Sequence, residues 1–307
     1  MIEAPVIGYT LGDQAGVGPE LIARVLPQLP GTARYIPMGA TLTCTPGRPT
    51  KATAEMALEH LERAAEALRE GRIDAVVTAP VCKEALQSIG FPYPGQTEFF
   101  AARLGAEHHA MCLTGQRLTV ALCTTHIALE EVPRLLTREQ IETVGSLLGD
   151  FLRHRGIARP RIAVAGLNPH NGEGGAFGQQ EIQLIAPAVR ALQERIPYAA
   201  VEGPCVPDAV YRAAAMGEYD AVLAPYHDQA LIPLKLLDFH TAVNATLGLP
   251  RLRVSPDHGT AFALAGRGEA NPSSTLHAFL LALDYLTGQS SSPAVEAKNA
   301  PSAPLDV

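Results

Sequence analysis

The sequence has no CxxC pair. Its five cysteines, Cys44, Cys82, Cys112, Cys123 and Cys205, are scattered and odd in number. That argues against both a disulfide framework and a thiolate zinc site, and it suits small buried thiols in a reducing compartment. No run of roughly 18 consecutive apolar residues occurs, so no membrane span is expected. The segment from Met1 to Gly8 lacks the basic region and apolar stretch of a signal peptide, and a cytoplasmic protein is the expectation. A long basic stripe is also missing: 24 Lys and Arg stand against 31 Asp and Glu, for a net charge of −7. This disfavours a nucleic-acid partner. Neither the P-loop pattern nor a strict GxGxxG is found, and no internal repeat is visible.

What is present is alternation of short apolar runs with amphipathic stretches. Val6–Thr10 reads as a first strand, running through Gly12-Asp-Gln-Ala-Gly-Val-Gly-Pro-Glu20 into a helix over Glu20–Leu29. Residues 39 to 50, rich in Thr, Gly and Pro, read as a loop. The spacing of Met56, Ala57, Leu61, Ala64, Ala65 and Leu68 predicts a helix over Thr53–Glu70. Asp74–Thr78 is a strand that feeds a polar turn, Ala79-Pro-Val-Cys-Lys83. Another helix opens at Pro94-Gly-Gln-Thr-Glu98, with Thr97 as a possible cap. Met111–Leu113 and Leu118–Cys123 read as an antiparallel pair around Gly115-Gln116. Helix is expected over Thr137–Arg155, Gln180–Arg195, from Pro207-Asp208, and over Ser274–Thr287. Further strands are expected at Arg161–Leu167, Tyr219–Ala224, Thr241–Leu247 and Leu252–Val254. Residues 288–307 read as a disordered tail. The pattern predicts an α/β fold with a largely parallel sheet over residues 1–287.

Three histidines share a context: His126, His170 and His227 each follow an apolar strand. Strand ends gather at one edge in such folds, so the three rings could meet around a divalent cation. Asp228 and Asp208 are candidate orienting carboxylates, Asp208 having a helix N-cap as its plainer role. Lys235, Arg253 and Asn244 are plausible anchors for an anionic substrate, and Thr97 could add a phosphate contact. Arg253 lies inside an apolar strand, where a charge needs a partner.

These stretches together resemble the PdxA family, the 4-hydroxythreonine-4-phosphate dehydrogenases of pyridoxal phosphate biosynthesis. The resemblance rests on Gly12–Glu20, Pro94-Gly-Gln-Thr-Glu-Phe99, Thr124-Thr-His126, Leu167–Gly175, Tyr226-His-Asp-Gln229, Val243–Pro250 and Asp257-His-Gly-Thr-Ala261, which follow the family's order along nearly the whole chain. It implies two α/β/α subdomains with a cleft between them, as in isocitrate and isopropylmalate dehydrogenases, and a homodimer with each active site at the subunit interface. It puts metal ligands on His126, His170 and His227. Substrate contacts fall on Gln96, Thr97, Lys235, Asn244 and Arg253, and supporting aspartates on Asp208 and Asp228. His258, Gly259, Thr260, Ala261 and Asn271 match the loop that holds the cofactor's adenosine.

The activity implied is metal-dependent, NAD- or NADP-dependent oxidation of a small phosphorylated amino alcohol, 4-phosphohydroxy-L-threonine, whose product loses carbon dioxide. Zinc, cobalt, magnesium or manganese would serve as the metal, and Lys83, Asp228 or a water as the base. Two departures stand out: Gln96 occupies a position that is His in the family, and Gln14 one that is usually Pro. Gln96 keeps open a sibling dehydrogenase acting on a phosphorylated four-carbon sugar acid or a dihydrodiol. A metal-binding protein without catalysis is the remaining alternative.

Overall fold

The computed structural model describes residues 4–289; most of the tail expected at 288–307 lies outside the described residues. Ten strands appear in chain order: β1 (Val6–Thr10), β2 (Arg34–Pro37), β3 (Ala75–Thr78), β4 (Ala110–Thr114), β5 (Thr119–Leu122), β6 (Arg161–Ala165), β7 (Ala200–Cys205), β8 (Ala221–Ala224), β9 (Val243–Leu247) and β10 (Leu252–Pro256). They fall into two compact units. One comprises the described residues of Met1–His109 and His240–Thr287, the other those of Ala110–Phe239 and Gly288–Val307.

In the first unit the strand order is β2-β1-β3-β10-β9. All neighbours run parallel except β10 and β9, which are antiparallel with Arg253 opposite Thr246. The helix Lys51–Arg69 covers one face. It starts at a reciprocal cap in which Thr50 and Thr53 satisfy each other's backbone N–H. Ala57, Leu61, Ala64, Ala65 and Leu68 recur at helical spacing and join Val76, Phe99 and Phe100 in one core cluster. Each fully buried phenylalanine contributes roughly 1.5–3 kcal/mol relative to exposure.

In the second unit the order is β4-β5-β8-β6-β7. β4 and β5 form the expected hairpin, and the others pair in parallel. Every residue of β5 and β8 is buried. That is why these strands read as unbroken apolar runs rather than as alternation. The hairpin turn is held by Asp238, whose carboxylate accepts from the amides of Gln116, Arg117 and Leu118 at 3.0–3.3 Å.

Several local expectations need correction. Strands β2 and β7 and the short helix Lys83–Ser88 were not legible; β2 and β7 are half exposed and lack a clean apolar run. The first helix stops at Val25 and tightens into a 3-10 turn, because Pro27 has no N–H to continue the ladder. Gly95, not Thr97, caps the helix Gln96–Leu104, and Thr97 lies buried in its first turn. Asp208 is not a cap either: Val206 holds that place, with Pro207 at the first helical position.

Candidate functional site

Most of the candidate residues fall into two clusters, one in each unit. In the first, alternation along β9 puts Asn244 and Thr246 on one face. The antiparallel register sets Arg253 beside Thr246 on that same face. Arg253 is 3% exposed. Its guanidinium donates from Nε to Thr78 Oγ1 at 3.0 Å, from Nη1 to Thr246 Oγ1 at 3.4 Å and from Nη2 to Gln96 Oε1 at 2.9 Å. All three acceptors are neutral. Burial lowers its pKa to about 9, partly offset by the field of Glu98, so the group stays charged at neutral pH. The guanidinium is thus a buried cation whose hydrogen-bond partners are all neutral oxygens, the setting in which an anion would be favoured.

Its surroundings fit that role. Thr97 Oγ1 lies 3.5 Å from Thr246 Oγ1. Asn244 Oδ1 is buried without a hydrogen-bond partner among the described residues. Gln96 also reaches the Ala79 carbonyl with Nε2 at 3.4 Å, which fixes its carbonyl toward Arg253. Lys83 is close by: a Cβ added to Gly95 would sit 3.8 Å from its ammonium. The turn beneath needs a glycine. Gly12 has φ +66, and a Cβ there would overlap the Pro80 carbonyl.

The adenosine-loop candidates lie in the same unit. Thr260 accepts from the Val17 amide at 2.9 Å, and Arg24 donates to the Ala270 carbonyl at 2.6 Å, so the N-terminal helix pins this loop. Ala261 adopts φ +44. His258 Nδ1 lies 2.9 Å from the Gly259 carbonyl, while its buried Nε2 has no partner among the described residues. Asn271 accepts from the Ser273 amide at 2.9 Å and opens the last helix, Ser273–Thr287.

The second cluster is built on the ends of β5 and β8. Cys123 N donates to Ala224 O at 2.9 Å, and both N–H and O–H of Thr124 reach Pro225 O. These bonds tie the segment carrying His126 to the one carrying His227. The two imidazole centroids are 5.4 Å apart. Together with Thr125, Ile127, Leu129, Val132, Tyr226 and Asp228 they line a cavity of about 210 Å³. Asp228 Oδ1 lies 2.7 Å from His227 Nδ1, which leaves Nε2 of His227 as the free lone pair. Lys235 follows on the helix His227–Asp238, its ammonium 5.7 Å from the Phe239 ring.

His170 stands elsewhere. It sits in an exposed loop, with Glu173 Oε2 3.7 Å from its Nδ1, and is not among the residues lining that cavity. Among the described residues no three His, Cys, Asp or Glu side chains gather as a metal-ligand set. Asp208 is exposed. Thr78 and Thr246, which hold Arg253, and Glu181, which accepts from the Leu167 and Asn168 amides ahead of His170, were not anticipated. Thr246 alone had a signal, its two-residue spacing from Asn244.

The family model of the Pyridoxal phosphate biosynthetic protein PdxA matches residues 20–282. The chain belongs to the PdxA family. A "4-hydroxythreonine-4-phosphate dehydrogenase" from Desulfosudis oleivorans is 40% identical over 91% of this chain and 96% of its own length. A "D-threonate 4-phosphate dehydrogenase" from Pectobacterium atrosepticum is 37% identical over 91% of this chain and 98% of its own. The crystal structure of a 4-hydroxythreonine-4-phosphate dehydrogenase from Klebsiella pneumoniae superposes with a TM-score of 0.78 at 37% identity, covering 92% of this chain and 99% of that one. An isocitrate dehydrogenase from Methylococcus capsulatus, 15% identical with a TM-score of 0.52, covers 92% of this PdxA-family chain and 86% of its own and shares the fold alone. No helix among the described residues is long and apolar enough to cross a membrane.

Proposed function

We propose that this PdxA-family chain is a nicotinamide-dependent dehydrogenase that oxidises 4-phosphohydroxy-L-threonine to 2-amino-3-oxo-4-(phosphooxy)butanoate. That β-keto acid loses carbon dioxide to give 3-amino-2-oxopropyl phosphate for pyridoxine 5'-phosphate synthesis. The observation that carries the reading is the buried, acid-free guanidinium of Arg253, a place for an anion in a chain of this family. Arg253 and Thr97 bind the phosphorylated end of the substrate and hold it in one orientation. The unpartnered Oδ1 of Asn244 accepts from the substrate's amine or hydroxyl. Lys235 supplies a second positive charge for the substrate. Lys83, Asp228 or a water takes the alcohol proton.

A divalent cation would polarise the substrate alcohol and lower its pKa. The donor chemistry of His126 and His227 fits one: two adjacent imidazoles, one oriented by a carboxylate. His170 would be the third ligand. For the nicotinamide cofactor, which would accept the hydride, the orphaned Nε2 of His258 is the fitting observation; Gly259, Thr260, Ala261 and Asn271 complete its loop. The partner is a second copy of the chain. Ile232, Leu236 and Phe239 recur at one helical face and are 68%, 84% and 64% exposed, an apolar stripe that a homodimer would cover.

A second reading, a dehydrogenase of a phosphorylated four-carbon sugar acid, is favoured by Gln96. Its carboxamide carries neither charge nor a mobile proton, and the D-threonate 4-phosphate relative is nearly as similar. Initial rates of NAD reduction on 4-phosphohydroxy-L-threonine and D-threonate 4-phosphate separate the two. The first reading expects the higher kcat/KM on the amino acid.

A further inference from the structure

Five consecutive residues, from His170 to Gly174, have left-handed backbone angles, with φ of 52, 55, 74, 46 and 64. Three of them, His170, Asn171 and Glu173, carry a Cβ that this conformation disfavours. Such a run persists only where its surroundings impose it.

Beside it lies a buried carboxylate. Glu181 is 3% exposed and opens the π-helical turn Glu181–Ile185. Its Oε1 accepts from the amides of Leu167 at 2.8 Å and Asn168 at 2.7 Å, and its Oε2 accepts from Asn168 Nδ2 at 2.9 Å. Gly172 packs against the same carboxylate: an added Cβ would lie 2.8 Å from Oε2. On the other side Asn171 Nδ2 donates to the Pro204 carbonyl at 2.6 Å. The loop is clamped at both ends of its first half, and the imidazole of His170 is 66% exposed. Gln229 adds a tie: its Nε2 donates to the Gly166 carbonyl at 2.8 Å from the helix that begins with His227.

We propose that Glu181 is the positioning residue for His170: its carboxylate holds the left-handed loop and so presents the imidazole for a divalent cation. The proposal rests on the metal reading given above. Glu181 touches neither substrate nor ion and acts through the backbone of Leu167 and Asn168.

The test swaps the two partners. In Glu181→Gln, Oε1 keeps both amides but a donor amide then faces the donor Nδ2 of Asn168. In Asn168→Asp, two carboxylates face each other. In the double variant an amide donor meets a carboxylate acceptor again, and the Gln180 amide, whose Oε1 accepts from Asn168 Nδ2 at 2.8 Å in the wild type, turns to donate. Co²⁺ is titrated into the full-length protein and followed by its visible spectrum, with amide hydrogen exchange read over residues 167–176. Each single variant is expected to bind Co²⁺ about 10- to 100-fold more weakly and to lose protection in the loop. The double variant is expected to recover both. Wild-type Co²⁺ affinity in the single variants, or no recovery in the double variant, overturns the proposal. If the wild-type protein binds no Co²⁺, the metal reading fails instead. The exchange data then still decide whether Glu181 holds the loop: unchanged protection in Glu181→Gln overturns that too.

Discussion

Gln96 Oε1 accepts a hydrogen bond from Arg253 Nη2 at 2.9 Å, across 157 positions of sequence. A neutral carboxamide thus orients a buried cation without neutralising it. Replacing it by a carboxylate would do both. Gln96→Glu is expected to pair with Arg253 and close the anion site, raising KM for a phosphorylated substrate about 10- to 100-fold, the worth of one charged hydrogen bond. NAD affinity and Co²⁺ binding stay unchanged. Steady-state kinetics with calorimetry for both ligands checks this; an unaltered KM would show that the substrate anion binds elsewhere.

Arg253→Met removes the cation itself. Burying a charge without an acidic partner is costly, so an apolar side chain of similar length leaves the fold as stable or slightly more so. Binding of the phosphorylated substrate nevertheless falls by at least about 10-fold. In thermal melts and kinetics measured together, Tm should hold or rise slightly while KM rises. A large loss of stability with KM intact would make Arg253 a structural residue.

Thr78 accepts from Arg253 Nε. Thr78→Val keeps the shape but leaves that donor unsatisfied, at a cost of about 1–3 kcal/mol in denaturant unfolding. Thr78→Ser should restore most of it. Equal stability of Thr78→Val and the wild type would contradict the role given to this hydroxyl.

His60 contributes to the pH dependence of stability. It is fully buried, its Nε2 is 3.0 Å from the Ala40 carbonyl, and burial lowers its pKa below the ordinary 6.5. The folded state therefore keeps the ring neutral while the unfolded chain takes up a proton below 6.5, so stability is lost as pH falls from there. Melting temperatures between pH 7 and pH 5 should fall less steeply in His60→Gln than in the wild type. Parallel slopes would exclude His60 as the cause.

Legibility followed the physics of each element. Strands buried on both faces, such as β5 and β8, announced themselves as apolar runs, and the His126 and His227 segments that follow them were placed at once. The α/β class followed from the alternation of such runs with amphipathic stretches, and the burial of Arg253 showed as a charge standing in an apolar strand. Edge strands β2 and β7 left no such trace. Nor did Thr78, which meets Arg253 only through strand pairing between distant segments. The conformation around His170 was hidden for another reason. Glycine richness suggested a functional loop, yet the left-handed run depends on Glu181, a residue that in sequence looks like any first-turn acid.

The dehydrogenase reading is tested most directly by the formation of reduced nicotinamide. Purified protein, NAD or NADP, a divalent cation and 4-phosphohydroxy-L-threonine are mixed, and absorbance of the reduced cofactor is followed in wild type, His227→Ala and Arg253→Met. Saturable turnover in the wild type is expected, with loss of turnover and of bound metal in His227→Ala and a raised KM in Arg253→Met. Absence of reduced cofactor from both this substrate and D-threonate 4-phosphate, in protein shown to bind metal and cofactor, would contradict the account.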